Sequence, residues 1–168
     1  MNHFIRLIVL ILGGFIANLV LAETLTSDAL ERDINSTCSS YLGQIEESYD
    51  LNGLNITFAH PSDPSLYPSL HLSTKKYNNG NLVFSATLSP DGEYCYLSTV
   101  VVTSVNSQSC NDITMLKIAE DSTLKTTVYA EGDYSIITPE DDSYQIILIS
   151  NGEQSCTMTE SRMMWPGR

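Results

Sequence analysis

LVFSATLSPDGEYCYLSTVVVTS, residues 82–104, decides the fold. Leu82 to Leu88 alternates loosely between apolar and small polar side chains, the period-two pattern of a half-buried strand. Ser89-Pro90-Asp91-Gly92 puts proline and glycine where a tight turn favours them. Tyr94 to Ser104 is long and β-branched around Val100, Val101 and Val102. Two strands joined by so short a turn pair antiparallel, because parallel neighbours need a crossover of a dozen or more residues.

The pattern continues downstream. Further strands are expected at Ile113–Ile118, Leu124–Tyr129, Tyr134–Thr138, Tyr144–Ser150 and Ser155–Met163. Short polar turns separate them, which favours antiparallel neighbours. Asn106 to Asn111 reads as a polar loop holding Cys110. Upstream, Leu54 to Ala59 and Leu70 to Thr74 read as short strands around a loop punctuated by Pro61, Pro64 and Pro68. Asn79-Gly80 suits a type I′ hairpin turn.

Residues 24–50 follow a different period. Leu30, Ile34, Cys38, Tyr41 or Leu42, Ile45 and Tyr49 recur every three or four positions, an apolar stripe at helical spacing. Ser27 and Asp28 supply a helix start, and Asn52-Gly53 a stop. The expected fold is therefore α+β: one N-terminal amphipathic helix packed on a mainly antiparallel sheet of about seven to nine strands. No internal repeat or second domain is visible in the sequence.

The first residues have another role. Leu7 to Leu21 is apolar apart from Gly13, Gly14 and Asn18, and Val20 and Ala22 match a small-residue cleavage site. Residues 1–22 thus read as a cleaved secretory signal peptide, followed by a single domain over 23–168. The run is short for a membrane span, which needs roughly 20 residues. No stable membrane insertion is expected after cleavage, and the expected location is periplasmic or secreted. In that setting Cys38, Cys95, Cys110 and Cys156 read as two disulfides, with three pairings open. Their spacing contains no C-x-x-C and offers no zinc pattern. Asn35-Ser36-Thr37 and Asn55-Ile56-Thr57 fit the N-glycosylation acceptor pattern.

The chain has 20 acidic and 8 basic residues, a net charge of −12. Loss of Arg6 with the leader makes it one unit more negative. Such a surface repels nucleic-acid phosphates and attracts cationic partners. If the strands run up and down in order, Asp91, Glu93, Glu120, Asp121, Glu140, Asp141 and Asp142 collect at one end as an acidic pole. Ordinary turn chemistry also makes such clusters; the functional reading is a docking site for a basic protein. Arg162, Met163, Met164 and Trp165 form a second candidate, an anchor of the residue types enriched in interface cores. The bland alternative is a tail that closes the core.

Catalytic candidates are thin. His60 and His71 flank the proline loop and suggest a two-histidine metal site or a general base, although plain loop histidines are commoner. No nucleophile elbow, zinc-protease motif or phosphate loop is present. No catalytic residue, metal or cofactor is therefore assigned. The leading expectation is an exported, acidic protein that binds another protein, such as an inhibitor or immunity-type protein of a basic enzyme or toxin. The alternatives are an envelope or extracellular hydrolase with an unfamiliar site, and a structural or adhesive subunit.

Overall fold

A computed structural model describes residues 24–130 and 133–164, so the leader at 1–22 and the candidate anchor Trp165 lie outside the described residues. The 24–50 stripe is divided into two helices, α1 (Leu25–Glu31) and α2 (Ser36–Tyr49). Two cap signals cause the break. Asp33 adopts φ 55°, the Ile34 N–H reaches back to the Ala29 carbonyl, and the Asp33 N–H to that of Leu30. This is the Schellman ending of a helix. Asn35 then caps α2, its side chain accepting from the Thr37 and Cys38 N–H groups. The break turns Leu30 outward, 57 % exposed, and buries Leu25 and Ala29 instead.

The helices are also tied side to end. The Glu46 carboxylate of α2 accepts from the Leu25 and Thr26 N–H groups at the start of α1. A carboxylate there satisfies otherwise orphaned donors and meets the positive end of the helix dipole. Glu46→Ala is expected to lower stability by about 1–2 kcal/mol and to speed amide exchange in α1. Urea unfolding with hydrogen exchange checks this. Unchanged α1 protection would count against the tie.

Eight antiparallel strands follow: β1 (Asn55–Phe58), β2 (Ser69–Tyr77), β3 (Gly80–Asp91), β4 (Tyr94–Asn106), β5 (Lys125–Tyr129), β6 (Tyr134–Thr138), β7 (Tyr144–Ser150) and β8 (Ser155–Met164). They form one sheet in the order β1-β2-β3-β4-β8-β7-β6-β5. The segment expected as a strand at 113–118 lies instead in a third helix, α3 (Cys110–Glu120), which also takes up part of the expected 106–111 loop. Its start is a reciprocal cap: Ser109 accepts from the Asp112 N–H, and Asp112 accepts from the Ser109 N–H.

Two turns differ from expectation. The β2–β3 loop is Asn78-Asn79, closed by Tyr77 opposite Gly80, and neither asparagine has a positive φ. Gly80 is required by crowding, since a Cβ there would lie 2.0 Å from the Ser104 carbonyl oxygen. The strand also runs through Pro90, and the turn falls at Gly92-Glu93, with Gly92 at φ 60°. Pro90 lies past the last β2 pairing, Ser69 with Leu88, so its missing N–H breaks no ladder on that side.

The strand order reveals a repeat that the sequence hides. Each half is a helical segment followed by a four-stranded meander. Each meander runs inward from one edge, and the fourth strands, β4 and β8, meet antiparallel at the centre. The disulfides repeat too. Cys38 of α2 joins Cys95, the second residue of β4; Cys110 of α3 joins Cys156, the second residue of β8. Each half has its own core. Leu25, Ala29, Cys38 and Leu42 share one with Leu82, Phe84, Leu88 and Cys95. Cys110, Ile113 and Leu124 share the other with Ile137, Ile146, Leu148 and Cys156. Cys156 stands opposite Val105, on the same face as Cys95, so α2 and α3 attach to one face of the sheet.

Candidate functional site

The register puts the turns at Gly92-Glu93 and 139–143, the end of α3 and the start of β5 at one end of the sheet. Two of these loops face each other. Past α3, Asp121 Oδ1 accepts from the Thr123 N–H at 2.9 Å and the Thr123 hydroxyl at 2.7 Å. Between β6 and β7, Asp141 Oδ1 accepts from the Ser143 N–H at 3.0 Å. Asp142 turns the chain with φ 53°. A cavity of about 500 Å³ opens between the loops, lined by Asp121, Thr123, Glu140, Asp141 and Tyr144 among others. A larger one, about 840 Å³, shares Asp141 and Tyr144 and reaches Asp142, Arg162, Met163 and Met164.

The seven acids are therefore not one cluster. Asp121, Glu140, Asp141 and Asp142 border the adjoining cavities. Glu120 sits just before them and pairs with Lys117 at 3.2 Å. Asp91 and Glu93 share the end of the sheet but stand three strand spacings away, about 14 Å. Arg162 pairs with Glu160 at 3.0 Å and lies over the Tyr144 ring, 4.9 Å from its centre. Met163 and Met164, both 51 % exposed, form part of the cavity wall. Tyr49 of α2 belongs to the same neighbourhood. Burial, helped by the Glu160 carboxylate and opposed by Arg162, raises its phenol above the ordinary value.

Two carboxyls of this end are shifted by their turn hydrogen bonds. Hydrogen bonds from Thr123 and Ser143 hold the Asp121 and Asp141 carboxyls below the usual range, as Ser109 does for Asp112. A general acid needs the opposite shift, a carboxyl that keeps its proton near neutral pH. Asp121 and Asp141 thus stay ionised over a wider pH range than ordinary carboxyls.

The histidines do not meet. His71 is a strand residue, not a loop residue, and is fully buried. Thr57 Oγ1 lies 3.0 Å from its Nδ1 and Ser69 Oγ 2.8 Å from its Nε2. Burial lowers its pKa to about 4, against a raising influence from Asp28. Asp28 is itself buried; Arg32 takes its Oδ1 at 2.7 Å, and its Oδ2 has no hydrogen-bond partner. His60 stacks on Tyr67 at 4.4 Å, and its Nδ1 accepts from the Ser62 and Asp63 N–H groups. One histidine organises the proline loop and the other fills a polar core, so the two-histidine metal site is ruled out. His71 has no route to a substrate. Among the described residues no group of three or more His, Cys, Asp or Glu is placed to hold a metal.

Sequence reasoning missed the burial of Asp28 and His71 and the Thr123 and Ser143 turn bonds. Only the turn bonds have a sequence signal, Asp two residues before Thr or Ser. Among the described residues no helix is long and apolar enough to cross a membrane. The two disulfides fit a protein exported to an oxidising compartment. No protein-family model, curated protein or solved structure matches the chain.

Proposed function

We propose that the chain is an exported protein-binding protein whose acidic end receives a basic surface of another protein, in the manner of an inhibitor or immunity-type partner of a basic enzyme or toxin. The observation that supports this reading is the pair of cavities bordered by Asp121, Glu140, Asp141 and Asp142 on a chain of net charge −12. The turn hydrogen bonds keep two of these carboxylates ionised. Tyr144 and the half-exposed methionines add apolar contact beside the charge, the composition of an interface core with a charged rim.

A basic lysozyme serves as the probe, titrated in low and high salt. Binding is expected to weaken at least tenfold as salt screens the charges. The triple variant Asp121→Asn, Glu140→Gln, Asp141→Asn is expected to bind at least tenfold more weakly at low salt. Affinity unchanged in that variant would remove the acidic end from the interaction.

A further inference from the structure

The sheet has a second face, and none of the described helices attaches to it. Alternation places Val83, Thr87, Val100, Val102, Thr159 and Ile147 there, opposite the face that carries Cys95 and Cys156. Val83 is 44 % and Val100 38 % exposed. The face is mixed apolar and hydroxyl, and it is nearly free of charge. Of the acids, the described strands contain only Asp91 and Glu160. Glu160 pairs with Val101 on the helix-bearing face. Asp91 sits at the rim of the open face, where it accepts from the Tyr96 hydroxyl at 3.3 Å. Lys76 and Lys125 also lie at its margins, near strand ends.

We propose that this open face pairs with a second copy of the chain, sheet against sheet, in a symmetric dimer. Three arguments converge on that occupant. The first is electrostatic. Two chains of net charge −12 repel wherever their acids meet, and like charges brought together across an interface cost several kcal/mol. The interior of this face is a surface on which two copies can approach without opposing carboxylates. A cationic partner is drawn instead to the acidic end.

The second argument is chemical. Serine and threonine hydroxyls both donate and accept, and methyl groups pack on methyl groups. Such a face is its own complement, which a two-fold contact of one patch with itself requires. The third is size. Eight strands about 4.8 Å apart span about 34 Å, and six residues of strand about 20 Å. The product, about 700 Å², is close to the roughly 800 Å² per partner of a standard interface. Sheets packed face to face lie about 10 Å apart.

Light scattering during size exclusion tests this on the protein purified as the cell processes it. The expected result is a mass of two chains at micromolar concentration. Val100→Lys, near the middle of the face, is expected to weaken self-association at least a hundredfold with melting little changed. Thr87→Glu, at an exposed hydroxyl position, is expected to do the same and covers the case in which the first variant fails to fold. A single-chain mass up to millimolar concentration overturns the proposal. So does a dimer that persists in both variants, or a purified particle in which a different protein covers this face.

Discussion

Replacing Cys38 and Cys95 with alanine is expected to lower the unfolding free energy by about 4 kcal/mol, the chain-entropy value for closing a loop of this length. The bridge spans 57 residues. The same treatment of Cys110 and Cys156, 46 residues apart, is expected to cost about the same, because the dependence on length is only logarithmic. The two effects should nearly add. Each bridge lies in its own core, and the closed loops share no residue. Removing both then takes about 8 kcal/mol from a stability that for natural domains is about 5–15 kcal/mol. The fully reduced protein should be largely unfolded at 37 °C. Denaturant midpoints of the two pairwise variants and the fourfold variant check this. Hydrogen exchange adds a sharper reading: loss of the first bridge should open amides of β1 and β2 before those of β7. Unchanged melting after complete reduction would contradict a structural role for either bridge.

Acid is expected to weaken the fold well before the carboxylates titrate. His71 is neutral in the native state and protonates only near pH 4, whereas an unfolded histidine protonates near 6.5. Above pH 6.5 both states are neutral and the group has no effect. As pH falls from 6.5 towards 4, the unfolded chain binds a proton that the folded chain refuses, so stability drops. Below about 4 both states are protonated and the loss is complete. The shift corresponds to about 3 kcal/mol. The lowered carboxyls of Asp112, Asp121 and Asp141 act in a different window. Their contribution is present above the ordinary carboxylate value and disappears only as pH falls below it. Unfolding measured between pH 7.5 and about 5 therefore weighs mainly on the histidine. His71→Asn should be less stable at pH 7.5 yet lose much less on acidification. Parallel pH curves for the two proteins would show that His71 is not the sensitive group.

Much of the sheet was readable because its signals are local. Leu82, Phe84, Ala86 and Leu88 alternate inward, and Gly92 marks the turn. The helices were less readable for two reasons. Ile113, Thr114 and Ile118 carry β propensity, and the stronger instruction, the Ser109–Asp112 cap, lies outside the periodic segment. In 24–50 the apolar stripe continues across the break, so periodicity alone misses the Asp33 turn and the Asn35 cap. Histidine is polar enough to suggest a loop, yet Thr57 and Ser69, one on the neighbouring strand and one two residues away, satisfy both nitrogens of His71 in the core. That arrangement depends on strand register, which the sequence does not display. The same holds for the acidic end. Its residues were identifiable one by one, but the separation of Asp91 and Glu93 from the others follows from β8 entering beside β4.

The division into two successive halves bears on how the chain is made. A polypeptide emerging from its amino terminus presents Cys38 and Cys95, with the helices and strands that hold them, before Cys110 appears. The first bridge can close on a finished core while the second half is still being synthesised or translocated. Because consecutive cysteines pair, the order of synthesis lets the first bridge close before a competing cysteine appears.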